Sequence, residues 1–311
     1  MNNTLLEKYT SKFKKWILIA RLRTLPLSVS GIFVGSFASY GSNDFNCFIF
    51  FLALATAIFY QILSNFANDY GDGIKGTDKN RIGPMRALQS GILSVKEIKN
   101  GIITISLISL ALTISLVSLS FSKDLFSFVL FIALGLLAIA AAIKYTVGKN
   151  AYGYSGFGDF VVFFFFGLIS VLGSNYLYTS VFDPSLLYPA CIIGFLGTGV
   201  LNLNNMRDVE NDRLMKKNTL PVFWGFNRSK LYHYFLISIS IALMLVYAFK
   251  KNFNSFVLIG LLVINISWLI LHVYQVSKVT SPKKFDTFLK PLALATVFYS
   301  IILSLHYIEI I

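Results

Sequence analysis

The chain repeatedly runs for 17 or more residues without a charged side chain, and no other feature constrains it as much. As helices, such runs can cross the ~30 Å hydrocarbon layer of a bilayer. Nine spans can be placed, at about 24–40, 47–66, 102–121, 125–143, 157–177, 187–205, 231–249, 254–276 and 289–308. Charged residues make up only 13% of the 311 positions, about half of the roughly 25% usual in soluble domains. Lipid is the solvent that suits such a chain. The expected fold is an all-α integral membrane protein of about nine transmembrane helices. It forms a single domain, residues 1–311, because no polar segment is long enough to fold separately.

The net charge of +13 would suit a nucleic-acid binder, but its distribution points to a membrane. With the N-terminus inside, five polar segments face the cytoplasm and carry six, six, two, six and four Lys or Arg residues. Of the 27 in the chain, only Lys123, Lys250 and Lys251 fall outside. Positive residues stay on the cytoplasmic side, so the expected topology is N-terminus inside and C-terminus outside, with no nucleic-acid partner. In residues 1–23, Leu6, Tyr9, Phe13 and Ile17 recur at helical spacing among lysines. That pattern predicts an amphipathic helix on the cytoplasmic lipid surface. The apolar run WILIA is interrupted at once by Arg21 and Arg23, so a signal peptide is not expected. The two cysteines and three histidines match no disulfide or metal-ligand spacing.

Against this background, NFANDYGDGIKGTD (65–78) is out of place, because it sets three aspartates directly after the second apolar span. A second acidic stretch, LNLNNMRDVENDR (201–213), follows the sixth span and repeats its spacing. Asn68-x3-Asp72 is matched by Asn204-x3-Asp208, with Asp78 or Asp212 further on and Asp69 beside Asn68. Residues four apart share one helical face, so each Asn/Asp pair can aim in a single direction. Carboxylates crowded in this way repel one another unless a cation holds them. Asp and Asn oxygens suit Mg2+, which completes its shell with water and substrate phosphate. Two such groups facing each other could hold one diphosphate at the membrane surface. Surface ion pairs with Lys75, Lys79, Arg81, Arg207 and Arg213 are the plainer alternative, and the repeated spacing disfavours it. The loops RIGPMRALQSG (81–91) and KKNTLPV (216–222) add cations able to grip phosphate oxygens. SVKE (94–97) reads as a helix capping box.

The motifs NDYGDGIKGTD and RDVENDR, on a nine-helix frame, resemble the UbiA superfamily of intramembrane prenyltransferases. More narrowly, NDYGDGIKGTD–RIGPMRALQSG, YTVGKNAYGYSGFGD and LNLNNMRDVENDRLMKKNTLPV resemble the 1,4-dihydroxy-2-naphthoate polyprenyltransferases of menaquinone synthesis. The superfamily commonly shows N-D-x-x-D-x-x-x-D. Here Asn68, Asp69 and Asp72 fit, position 76 is glycine, and the last acid is displaced to Asp78. A family Y-x-x-x-K element falls on Tyr145 and Lys149.

The resemblance implies transfer of an all-trans polyprenyl group from its diphosphate to 1,4-dihydroxy-2-naphthoate, with loss of carbon dioxide and diphosphate. It implies Mg2+ held by Asp69, Asp72, Asp78, Asp208 and Asp212, with Asn68 and Asn204 completing or orienting the shells. Arg86, Lys149 and Arg81 are the expected diphosphate cations. Tyr152, Tyr154 and Asp159 are expected near the aromatic acceptor. The partners are then the two substrates and membrane lipid; no feature of the sequence sets an oligomeric state. The implied location is the inner or plasma membrane, with the active site on the cytoplasmic side. Another aromatic acceptor, such as 4-hydroxybenzoate or homogentisate, fits the same motifs. A transporter using the acids as an ion site fits less well, since transport sites lie near mid-membrane and these acids lie at its edge.

Overall fold

The computed structural model describes residues 12–40, 45–77 and 86–309. Among these residues every regular element is helical, and nine helices are long and apolar enough to cross a membrane. The first of the nine spans, Phe13–Ala38, takes in a short helix α1 (Lys12–Ala20) and α2 (Leu25–Ala38), and the other eight contain α3 (Cys47–Lys75), α4 (Val95–Ser120), α5 (Leu125–Lys144), α6 (Gly158–Thr179), α7 (Leu187–Leu214), α8 (Leu220–Lys250), α9 (Phe256–Ser277) and α10 (Asp286–Glu309). The protein is therefore a multi-pass membrane protein.

The helices form a ring around a central cavity. α3, α4 and α5 pack as one group, α7 packs on α6, α8 and α10, and α2 joins the groups by contacting α3, α6 and α10. The outer surface is what lipid requires, with side chains such as Phe48, Leu125, Phe126 and Phe256 largely exposed. α7 is the exception, a central helix on which Ile192, Ile193, Leu196, Leu203 and Met206 are fully buried. In the core between α8 and α9, His233 Nε2 lies 2.9 Å from His272 Nε2. These are packed side chains, although far apart in sequence.

Three differences from the sequence reading have physical causes. The acidic stretches, expected just beyond spans ending at about 66 and 205, lie within the helices themselves. α3 continues to Lys75 and α7 to Leu214, because their Asn and Asp side chains face an internal polar space rather than leaving the helix for bulk water. α3 stops where Gly76 adopts φ 74°, a left-handed cap whose N–H bonds back to Asp72 O. Of the helix expected over residues 1–23, α1 covers Lys12–Ala20, and Leu6 and Tyr9 lie outside the described residues; Trp16 stacks on Phe66 (5.7 Å, 9°) and Ile19 is buried, while Phe13 and Ile17 face outward. The segment is thus held to α3 through a face that the Phe13/Ile17 stripe did not reveal. Finally, α6 contains a π-helical stretch, Phe163–Gly173, which no hydropathy pattern encodes. The predicted capping box is present: Glu97 N donates to Ser94 Oγ, and Ser94 N donates to Glu97.

Candidate active site

Both acidic helix ends open into one cavity of about 400 Å3. Gln61, Asn65, Asn68 and Asp72 line it from α3, at the three- and four-residue steps that keep one helical face toward it. Asn204, Asp208, Asn211 and Asp212 line it from α7. The two ends are tied together. Asn211 Nδ2 donates to Thr77 O at 2.6 Å, just past the end of α3. Asn218 N, just past the end of α7, donates to Tyr154 O at 3.1 Å. Tyr154 in turn donates its phenolic proton to Asp72 at 2.8 Å and lies 2.7 Å from Thr77 Oγ1. The facing arrangement expected from the repeated Asn-x3-Asp spacing is therefore present.

The carboxylates differ in what holds them. Asp72 is buried beside Tyr154, Arg86 (3.4 Å) and Lys217 (3.7 Å). Asp208 is gripped by the fully buried Arg207, with Nε to Oδ1 at 2.8 Å and Nη2 to Oδ2 at 2.6 Å. The same guanidinium reaches Asp286 at 2.6 Å and Asn204 at 2.8 Å. Asp212 caps the following turn, its main-chain oxygen accepting from Lys217 N at 2.8 Å. Asp69 is turned elsewhere: it accepts from the backbone N–H groups of Ala87 and Leu88, both at 3.0 Å, and Arg21 stands 3.9 Å away. It lies outside the cavity lining and anchors the segment that presents Arg86.

The other predicted residues divide. Arg86, Tyr145 and Tyr152 line the cavity, and Tyr152 donates to Ala141 O at 2.9 Å. Tyr154 serves Asp72 from outside the lining. Lys149 is exposed and outside the lining, and Asp159 is buried beyond it, with its main-chain oxygen accepting from Thr198 at 3.4 Å. Asp78 and Arg81 lie outside the described residues. Sequence reasoning named Arg207 only as a surface ion-pair alternative, and missed that it is buried between Asp208 and Asp286 and that Lys217 stands at Asp72. Lys217 sits in the KKNTLPV loop already singled out, but nothing local distinguishes it from Lys216. Burial raises the ordinary phenol pKa of both Tyr145 and Tyr154; the Asp159 and Asp72 charges add to the first shift, and Asp72 to the second. Both are therefore neutral donors at working pH.

Among the described residues no three His, Cys, Asp or Glu side chains gather closely enough to hold a metal unaided. The donor set nevertheless suits a hard cation completed by substrate, because Mg2+ commonly takes one or two carboxylates and draws other ligands from phosphate and water. Asp72, Asp208 and Asp212, with the amide oxygens around them, supply that chemistry. Away from this polar end the lining is apolar, with Ile32, Leu116, Leu134, Phe165 and Ile169 among its residues. The cavity can thus take an anionic head and a hydrocarbon tail.

The comparisons with known proteins agree. The chain is 44% identical over 242 residues to 1,4-dihydroxy-2-naphthoate octaprenyltransferase of Haemophilus influenzae, covering 76% of this chain and 78% of that one. It is 43% identical to the Escherichia coli protein of the same name, over 73% and 74% of the two chains. A solved structure of a UbiA homolog from Archaeoglobus fulgidus bound to DMAPP and Mg2+ shares the fold, with a TM-score of 0.66 at 15% identity over 96% of this chain and all of the other. The model of the UbiA prenyltransferase family matches residues 28–302, and the chain therefore belongs to that family.

Proposed function

We propose that the protein transfers a polyprenyl group from its diphosphate to 1,4-dihydroxy-2-naphthoate, with loss of carbon dioxide and diphosphate, in menaquinone synthesis. The observation that carries this reading is the convergence of Asp72 with Asp208 and Asp212 on one cavity whose lining is otherwise largely apolar. The relatives' shared name supplies the acceptor. The 24-to-3 distribution of basic residues supports an inner or plasma membrane location with the site facing the cytoplasm, and the family match supports one domain.

In this reading Asp72, Asp208 and Asp212 hold Mg2+, and Asn68 and Asn204 complete or orient the set. Bound Mg2+ would neutralise charge on the leaving diphosphate. Arg86 and Lys217 stand against Asp72 and can turn to phosphate oxygens as the substrate arrives. Tyr154 keeps Asp72 aimed inward. The allylic C–O bond breaks with its electron pair leaving on the diphosphate, and the apolar walls exclude water from the cation. Tyr145, held neutral, presents an aromatic face to that charge without ionising. A bond then forms from the acceptor ring to the prenyl carbon, and the carboxylate leaves as carbon dioxide. Asp69 anchors the Arg86 segment instead of binding metal, and Lys149 stays in solvent. Asp78 and Arg81 remain assigned to metal and diphosphate by their motif alone.

The test is to incubate purified protein and Mg2+ with a prenyl diphosphate, and with dihydroxynaphthoate, 4-hydroxybenzoate or homogentisate, and to identify the product by mass spectrometry. The reading requires prenylated, decarboxylated product from dihydroxynaphthoate, lost on chelation. Faster turnover of either other acceptor would overturn the substrate assignment.

A further inference from the structure

Along α3 the cavity lining changes character at Gln61. Toward the polar end come Ser64, Asn65, Asn68 and Asp72; beyond Gln61 come Ala57, Thr56 and Ala53. Seven residues of helix set Gln61 about 10 Å from Asn68, so it stands where the polar lining gives way to the apolar one. Lining hydroxyls on the apolar side are already engaged. Thr56 donates to Leu52 O at 2.7 Å, Ser28 donates to Leu25 O at 2.8 Å, and Tyr60 OH pairs with Thr113 Oγ1 at 2.6 Å.

Gln61 differs, because its neighbours fix which end of its amide is left over. Thr24, just before α2, donates its single hydroxyl proton to Arg21 O at 2.9 Å. Buried Asn65 donates from Nδ2 to Ala20 O at 2.8 Å and to Thr24 Oγ1 at 3.0 Å. Thr24 Oγ1 and Asn65 Oδ1 can then only accept, and Gln61 Nε2 donates to both, at 3.1 and 3.3 Å. A flipped amide would set its oxygen against two acceptors. The carbonyl Oε1 is therefore the end of Gln61 left for a ligand, and no described residue donates to it. Ser64, one turn nearer the polar end, carries a hydroxyl that can donate or accept and so discriminates little. Gln61 Oε1 can only accept.

We propose that Gln61 Oε1 selects the acceptor by taking a hydrogen bond from its 4-hydroxyl. This rests on the prenyl-transfer reading above and adds to it a residue that reads the acceptor. In 1,4-dihydroxy-2-naphthoate the 1-hydroxyl lies beside the carboxylate and spends its proton there. The 4-hydroxyl lies across the ring, with its proton available. An acceptor that brought a carboxylate to Gln61 would set unprotonated oxygens together. One that brought only C–H would leave Oε1 unpaired, and a site built to bond a hydroxyl rejects the analogue lacking it.

The experiment measures three constants in wild type, Gln61→Leu and Gln61→Met. They are kcat/KM for dihydroxynaphthoate, KM for geranyl diphosphate, and the inhibition constant of 1-hydroxy-2-naphthoate. The last compound lacks the 4-hydroxyl and is read as a competitor of dihydroxynaphthoate, so its own reactivity does not enter. Both variants remove the carbonyl oxygen at similar side-chain size, so failure of one to fold leaves the other. In each, kcat/KM for dihydroxynaphthoate should fall at least about tenfold, while the other two constants change less than about twofold. An equal weakening of 1-hydroxy-2-naphthoate would show that Gln61 only shapes the cavity, and no loss in a folded variant would show that it makes no bond to the acceptor. Either result would overturn the inference. Wild type inactive with dihydroxynaphthoate would instead overturn the activity reading, and this inference with it.

Discussion

The two acidic helix ends repeat one another in sequence but not in structure. On α3, Asp72 is held by groups from elsewhere in the chain: Tyr154 at 2.8 Å, Arg86 at 3.4 Å and Lys217 at 3.7 Å. On α7, Asp208 is held by its own neighbour, Arg207, which also fixes Asp286 and Asn204. The first set has long ion pairs on cations that can turn to a ligand. The second is a short-bonded network around a guanidinium with no exposure. The α7 end is thus the tightly tied wall of the cavity, and the α3 end the one tied by longer ion pairs.

The largest expected effect follows from the tightly tied wall. Arg207→Met leaves Asp208 and Asp286 without their shared cation, a break that costs about 3–5 kcal/mol in buried networks. Thermal unfolding in detergent should show a large drop in Tm, and a Tm equal to wild type would erase the distinction between the two ends. Asp72→Asn keeps the acceptor for Tyr154 and should leave Tm unchanged, while turnover falls by about 100-fold or more. Turnover near wild type at saturating Mg2+ would remove Asp72 from the metal set.

Lys217→Ala should lower kcat/KM for the prenyl donor roughly tenfold, the scale of one charge-assisted hydrogen bond. Lys149→Ala should change it less than about twofold, and no more than Lys144→Ala does. If the two losses were reversed, the exposed lysine would be the diphosphate ligand after all. An effect between those of the two lysines is expected at Tyr154. Its pKa is raised by burial and by Asp72, so it remains protonated above the ordinary value of about 10 and contributes nothing to an alkaline limb. Tyr154→Phe should lower the rate severalfold at every pH, without moving that limb. A shift of the limb would mean that the phenol ionises in the working range.

Helix number and the facing acids were legible because long apolar runs and i, i+4 spacing are local signals. Rotation about a helix axis was less so. Asp69 and Asp72 belong to one motif and both read as ligands, yet three residues of helix turn Asp69 toward the backbone of Ala87 and Leu88. Lys217 lies in the cavity lining and Lys149 outside it for a similar reason. The loop after α7 folds under Tyr154 and buries one lysine, whereas the loop after α5 leaves the other in solvent. Those outcomes depend on contacts between segments about 20 to 145 residues apart, which no spacing rule encodes.

The central claim is that both ends hold one diphosphate through metal. A double-mutant cycle on Mg2+-dependent binding of geranyl thiolodiphosphate tests it most directly, using Asp72→Asn, Asp208→Asn and the double variant. If both carboxylates act on one ligand, the second substitution should cost little once the first is made, giving a strongly non-additive cycle. Losses that simply multiply, with each single variant keeping half of its Mg2+-dependent affinity, would show two independent acidic patches and contradict the account.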